Sequence, residues 1–377
     1  MRIAVLGSRG YPSYYGGYET FVREFVPHAI EAGHDVVAYC RWAEDGRRAW
    51  SRDGAECRHT RGIDTKFFST LSHGLTSSLD VRKRGIDVAL VLNVANAFYI
   101  PLIQSAGVPV AINVDGLEWE RGKWGALGSG VFRLAARIAA SQAACIVADS
   151  RAIAEIWAEE YGVCPQFIPY GGHVLDERDV DELDPLGIPP GEFVLTVARL
   201  VPENNLALAL DGLELVRDGG RLPHVIVGSS GMRSELDLRA EQLAESREDV
   251  WYLGHVSNQR LLSQLWSHCA TYVHGHSVGG TNPALLQALG AGAPTVAYDC
   301  RFNREVVGDL DVYFDSPEGL AEQLRRMLTS TQHRERAVEH GRERVRTRYT
   351  WPDACDQYLT LLESLVEERG RVPALAA

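Results

Sequence analysis

Apolar residues in this chain arrive in short continuous blocks, and the segments between them carry a helical spacing. In the first half the blocks are RIAVLG (2–7), DVVAYC (35–40), DVALVLN (87–93), VPVAINV (108–114) and AACIVA (143–148). Runs of this length, apolar throughout rather than alternating, suit strands covered on both faces, as in a parallel sheet. A weaker strand is expected over 57–63. Thr20 to Ala32 has the spacing of an amphipathic helix and ends at Gly33, and Ser72 to Arg84 reads as a second helix.

The second half repeats the pattern. Strands are expected at 193–200, 224–229, 249–256, 270–275 and 293–299. Helices are expected from Leu206 to Asp218, over 233–247 and 258–268, and then from about 317 to 347 and 352 to 368. Strand–helix alternation of this kind predicts an α/β chain of two doubly wound, Rossmann-like domains facing across a cleft. The loose join is 169–192, with four prolines and many acids. The expected boundaries are 1–170 plus a returning C-terminal helix (352–377) for the first domain and 171–351 for the second. Ligands of open α/β sheets bind at the carboxyl ends of the strands, so the loops there are the candidates for function.

The remaining composition mostly excludes. At 377 residues the chain exceeds one ordinary domain. No apolar run approaches the ~18 residues of a membrane span. Seven scattered cysteines without a C-x-x-C pair predict reduced thiols in a cytoplasmic protein and no zinc site. The net charge of −12 falls wholly in the second half: residues 1–170 hold 18 basic and 18 acidic residues, the remainder 20 and 32. That balance argues against nucleic acid as a partner. Basic clusters in the first half (Arg82, Lys83, Arg84; Arg121, Lys123, Arg133, Arg137) suit either a solvated face or peripheral contact with an anionic membrane surface.

Among the strand-end loops, the stretch from Tyr272 to Gly292 stands out. Thr271–Val273 is β-prone, and Gly275, Gly279 and Gly280 loosen the backbone. Thr281 follows, Asn282 is a good N-cap, and Pro283 suits a first helical position. Strand, glycines and helix start together make an anion site, because unpaired N–H groups and the dipole's positive end face the ligand. An ordinary βα turn has the same look. Other loops add Arg9, Tyr15, Gly16, Gly17 and Glu19, then Asp115, Glu118 and Trp119. Further along come Arg199 and Asn204, Gly254 and His255, and Arg304. Arginines match phosphate oxygens, a carboxylate can take a proton, and tryptophan can platform a sugar. Arg199 could equally pair with one of many acids, and Asp115 could cap a helix.

Several of these stretches resemble GT-B-fold glycosyltransferases of the retaining family 4 type, in particular a bacterial rhamnosyltransferase-like branch. Gly7, Arg9, Gly10, Pro12, then Tyr15, Gly16, Gly17, Glu19, Thr20 are similar to its G-x-R-G-x-P…Y-G-G-x-E-T stretch. INVDGLEW…KW (112–124), GGTNPALLQALGAGAP with FNREV (302–306), and the terminal TWPDACDQYLTLLESL resemble the same branch. The resemblance implies a nucleoside-diphosphate sugar held mainly by the second domain. Its donor-site positions fall on Gly16, Gly17, Arg199, Asn204, Gly254, His255, Gly279, Gly280, Thr281, Asn282, Gln287 and Arg304. It implies an acceptor glycan, lipid-linked or small-molecule acceptor near Tyr15, Glu19, Glu118 and Trp119, with Asp115 where many relatives carry a catalytic histidine. Arg199 matches the arginine of an arginine–lysine diphosphate clamp and is counted with Asp115 as catalytic.

Two departures stand in this sequence. The clamp's lysine falls at Asn204, and the family's glutamate pair falls at Gly279 and Gln287. The implied activity is sugar transfer with dTDP-rhamnose as first-choice donor, retaining, with no cofactor and no metal, since neither phosphate loop carries D-x-D. Rival readings are a sugar-nucleotide epimerase of the same architecture, a nicotinamide oxidoreductase, and a catalytically silent glycosyltransferase-like partner. The oxidoreductase is disfavoured because GSRGYP is not G-x-G-x-x-G.

Overall fold

A computed structural model describes residues 1–14, 16–63, 68–114, 116–120, 126–217 and 220–371. The chain divides into two compact units: Met1–Glu120, Trp124–Tyr170 and Trp351–Ala377 belong to one, Gly171–Thr350 to the other.

Among the described residues the first unit has eight strands: β1 (Arg2–Leu6), β2 (Asp35–Cys40), β3 (Ala49–Arg52), β4 (Ala55–His59), β5 (Val88–Leu92), β6 (Val110–Asn113), β7 (Cys145–Ala148) and β8 (Gln166–Phe167). Their order across the sheet is β3-β4-β2-β1-β5-β6-β7-β8. Pairing is parallel except for β3, which runs antiparallel to β4 at the edge. All five residues of β5 are buried, as its unbroken apolar run predicts. Helices α1 (Gly17–Glu31), α2 (Phe68–Val81), α3 (Ile100–Gln104), α4 (Ala126–Gln142) and α5 (Arg151–Tyr161) connect the strands.

The terminal helix, Trp351–Arg371, packs in this first unit. Tyr358, fully buried, lies 4.6 Å from Phe21 and 6.0 Å from Phe25 of α1, centroid to centroid. Its hydroxyl accepts the Asn113 amide at the end of β6, at 2.5 Å. Full burial of each such ring is worth about 1.5–3 kcal/mol, so the helix is fastened rather than draped.

The second unit has six parallel strands: β9 (Val194–Val197), β10 (His224–Val227), β11 (Val250–Gly254), β12 (Thr271–His274), β13 (Thr295–Tyr298) and β14 (Tyr313–Phe314), ordered β11-β10-β9-β12-β13-β14. Its helices are α6 (Leu206–Arg217), α7 (Glu235–Ser246), α8 (Gln259–His268), α9 (Pro283–Ala291), α10 (Arg301–Val307), α11 (Pro317–Thr329) and α12 (Thr331–Arg348). The helix expected over 317–347 is two helices, because the Ser330 hydroxyl accepts the His333 N–H and starts a new one. Leu200, Leu206, Leu210, Ile226, Ala240 and Val250 form a core under one face.

Both sheets are doubly wound from their first strand. In the first, β2, β4 and β3 spread to one side of β1 and β5–β8 to the other. In the second, β10 and β11 lie to one side of β9 and β12–β14 to the other. Each sheet therefore has a switch point, β1/β5 and β9/β12, where chain direction across the sheet reverses and a crevice opens at the carboxyl ends.

Candidate functional site

At the β9/β12 switch point the flanking loops run from Ala198 to Asn205 and from Gly275 to Asn282. They are locked together. The backbone N–H and hydroxyl of Ser277 both donate to the Glu203 carbonyl, at 3.0 and 2.8 Å. The Asn205 amide donates to the Gly275 carbonyl at 2.9 Å. Gly275 permits this approach: a β-carbon there would sit 2.4 Å from the Asn204 carbonyl oxygen. On the other side, buried Asn303 of α10 donates to the His276 and Tyr298 carbonyls, both at 2.8 Å. Below, the buried His274 ring stacks on His276 at 4.4 Å and is bonded to the Tyr272 hydroxyl at 3.0 Å. Burial pushes His274 down to about 3, so this ring is neutral at ordinary pH.

The helix α9 starts as its sequence predicts. The Asn282 side chain accepts the Ala284 N–H at 3.0 Å, Pro283 occupies the first turn, and Gly292 closes the helix in the left-handed conformation. There is no acidic residue in its first turn. Gly280 and Thr281 are buried, Gly279 has φ +142 with open space around it, and Gln287 is half-buried on the second turn. Across the switch, Arg199 is exposed on the loop that follows β9. The structure thus brings Arg199 and Gly279–Asn282 to adjacent strands of one sheet, with Leu195 in register with Tyr272.

Other expected residues are placed differently. Asn204, at the clamp's lysine position, is 4 % exposed, and its amide donates to the Arg199 carbonyl at 2.8 Å, so it braces the loop instead of reaching outward. Arg304 is engaged by Asp299 through two bonds of 2.6 and 2.7 Å, with its guanidinium 4.4 Å above the Tyr313 ring. This pair holds the Asp299 carboxyl below its ordinary range and raises Arg304. Arg304 lines an acidic cavity of about 590 Å³ with Asp309, Asp311, Asp315 and Glu322, a strand away from the switch. Gly254 and exposed His255 end β11, two strands from β9, or roughly 10 Å at ordinary strand spacing.

Two features of this unit carry chemistry that the sequence reading passed over. The Asp237 carboxylate, 2 % exposed, accepts from the hydroxyl and N–H of Ser230, the hydroxyls of Ser229 (2.7 Å), Ser234 (2.7 Å) and Tyr252 (3.0 Å), and the Ser234 N–H (2.8 Å). Burial alone would raise that carboxyl; the hydrogen bonds of Ser230, Ser234 and Ser229 outweigh it and hold it well below the ordinary range. Ser234-x-x-Asp237 is a capping box visible in the sequence. The other feature is Glu203, whose carboxylate is buried with neither oxygen hydrogen-bonded.

In the first unit the β1/β5 loops hold Gly16, Gly17 and Glu19. Gly7 (φ +98) presses on β5: a β-carbon there would meet the Leu92 carbonyl oxygen at 2.0 Å. Gly16 precedes α1 without a side-chain cap, and Gly17 is its first residue. Glu19, expected near the acceptor, is 6 % exposed and accepts the Arg9 N–H at 2.9 Å, tying the loop to the helix. Trp119, expected as an open platform for a sugar, is 5 % exposed and lies edge-on to Trp157 at 6.0 Å and Tyr161 at 5.9 Å. Its ring is part of an aromatic core, because α5 supplies apolar partners that outweigh exposure. Glu118 is half-buried in the short turn Glu118–Glu120. Tyr15 and Asp115 lie outside the described residues. No group of three or more His, Cys, Asp or Glu residues that could hold a metal occurs among the described residues. Nor is any described helix long and apolar enough to cross a membrane.

Residues 16–171 match the family model for the glycosyl transferase 4-like domain, and residues 182–344 that for glycosyl transferases group 1. A phosphatidyl-myo-inositol mannosyltransferase of Mycobacterium leprae is 29% identical over 190 residues, 48% of this chain and 49% of that protein. An uncharacterized glycosyltransferase of Methanocaldococcus jannaschii is 25% identical over 184 residues, 48% and 47% of the two chains. The matched stretch is thus about half the length of these curated relatives. In fold, the chain is similar to sucrose-phosphate synthase of Thermosynechococcus elongatus (TM-score 0.81, 17% identity, 97% of this chain and 99% of that one). It is also similar to Anabaena HepE in complex with UDP-glucose (TM-score 0.75, 14% identity, 96% and 99%). Residues 16–171 and 182–344 thus match two glycosyl transferase models, one in each unit, and the two parallel-sheet units have the GT-B fold.

Proposed function

We propose that this protein transfers a sugar from a nucleoside diphosphate to a hydroxyl of a glycan, lipid-linked or small-molecule acceptor. The observation that carries the reading is the β9/β12 switch point. There a glycine loop after β12 opens onto a helix start with no acid in its first turn, and the loop after the neighbouring β9 carries Arg199. Backbone N–H groups, the helix dipole and a guanidinium converge on one kind of ligand group, a diphosphate. As the sugar leaves, negative charge grows on that diphosphate, and fixed donors stabilise it without reorganising. With Asn204 in place of a lysine and spent on the Arg199 carbonyl, Arg199 carries most of that task.

In this reading the first unit serves the acceptor. Asp115, two residues beyond β6 in the sequence, is the group that takes the acceptor's proton or supports the cationic transition state. Gly16 and Gly17 let the backbone come close to the reacting groups. The transfer is retaining and independent of metal, the donor of first choice is dTDP-rhamnose, and work at the inner face of a membrane fits the basic clusters of the first half.

The test is calorimetry and thermal shift of the purified protein against dTDP-rhamnose, UDP-glucose and other sugar nucleotides, since ligand bound to the native state raises its melting temperature. A transfer assay with the donor that binds follows. Binding by none of them would remove the reading. Donor turned over without any acceptor would replace it with an epimerase.

A further inference from the structure

Glu203 is 9 % exposed, both of its carboxylate oxygens are shielded from solvent, and neither has a hydrogen-bond partner among the described residues. A buried carboxylate in that condition is costly, and native proteins keep one only where something pairs with it. The backbone around it is not loose. Its own carbonyl is held twice by Ser277, Asn204 is tied to the Arg199 carbonyl, and Asn205 to the Gly275 carbonyl. The carboxylate is therefore carried by the very segment that joins the two loops of the β9/β12 switch point, four residues after Arg199.

The sign of its charge limits what it can meet there. A carboxylate repels a diphosphate, so the phosphates belong to Arg199 and the start of α9. What a carboxylate accepts from is a hydroxyl, and a sugar nucleotide offers hydroxyls on its ribose and on the sugar to be transferred. The two positions at which family resemblance expects glutamates hold Gly279 and Gln287, neither of them charged. We infer that Glu203 is the donor-site carboxylate of this chain, accepting hydrogen bonds from hydroxyls of the bound sugar nucleotide. This rests on the reading of the β9/β12 switch point as the donor site.

The experiment compares wild type with Glu203→Gln and, as a second variant of similar volume, Glu203→Met. Affinities are measured for UDP and UDP-glucose and for dTDP and dTDP-rhamnose, together with the melting temperature without ligand. The expected result is a melting temperature at or above that of wild type, since an unpaired buried charge is gone. Affinity for the sugar nucleotide that wild type binds should fall about tenfold in Glu203→Gln and further in Glu203→Met. An equal loss for the bare diphosphate assigns the contact to the ribose. A loss confined to the sugar nucleotide assigns it to the transferred sugar. Unchanged affinity in both variants overturns the inference, as does a loss of affinity matched by a loss of stability without ligand. If wild type binds none of the four compounds, the donor-site reading itself falls, and the inference with it.

Discussion

The two switch points are built from the same parts and end in opposite electrostatic states. At β1/β5 the loop runs through glycines into α1, and the first turn of that helix holds Glu19, whose carboxylate turns back onto the Arg9 N–H at 2.9 Å. At β9/β12 the loop runs through glycines into α9, which is capped by a neutral asparagine and has no acid in its first turn. A helix start favours negative charge, by about 0.3–1 kcal/mol at exposed sites and more when partly buried. The first switch point supplies that charge from its own chain; the first turn of α9 holds none. Glycine spacing alone does not make an anion site. What matters is whether the fold has already satisfied the helix end.

The largest effect is expected where the two units divide the work. If the second unit holds the donor and the first does chemistry, Asp115→Asn lowers turnover about 10²–10⁴-fold while donor affinity stays near wild type. Asparagine caps helices as well as aspartate does, so near-normal turnover would mean that Asp115 is only a cap.

Next comes the contrast between a closed and an open glycine. Gly7→Ala drives a β-carbon to 2.0 Å from the Leu92 carbonyl oxygen at φ +98, whereas Gly279 has φ +142 and nothing within 4 Å. Denaturant unfolding should show a loss of about 3–5 kcal/mol for Gly7→Ala and about 1–2 kcal/mol for Gly279→Ala. Equal losses would contradict the difference in packing at the two switch points.

Two arginines of the second unit are expected to differ in what they do for the donor. Arg199→Ala should weaken nucleoside-diphosphate binding about 10- to 100-fold. Arg304→Ala should leave it within about twofold, because that guanidinium is committed to an exposed pair with Asp299. Calorimetry on both variants decides; the reverse order would move the diphosphate to the neighbouring strand.

A further expected effect concerns the Asp237 network beside the second switch point. Its carboxyl is held below the ordinary range in the folded chain. Its stabilisation is therefore complete above the unfolded value of about 3.9 and is lost as pH falls through the lower folded value. Asp237→Asn should cost about 2–3 kcal/mol at neutral pH, and the gap to wild type should narrow below about pH 4. A gap that stays constant from pH 7 to pH 3 would deny the carboxylate that role.

The alternation of strands and helices, the two units and the start of α9 were all legible in the chain itself. Each is set by neighbours close in sequence. Five apolar residues in a row make a strand buried on both faces, and Asn282-Pro283 caps and opens a helix. No expectation covered the edge strand β3, the two-residue strands β8 and β14, which form only because a neighbouring strand offers hydrogen bonds, or the helices α3, α4, α5 and α10.

Side-chain fates were a different matter. Nothing around Trp119 in sequence says that Trp157 and Tyr161 will cover it. Nothing in RLVPENN says that Asn204 will turn onto the Arg199 carbonyl or that the Glu203 carboxylate will be buried without a partner. The sequence alone could name strand-end loops and the residue types in them. Which strands lie side by side, and so which loops share a switch point, is decided by pairing between segments 70 or more residues apart, such as Val194 with Thr271. A polar side chain's role follows from that pairing, because burial and hydrogen-bond partners come from whatever the fold brings next to it.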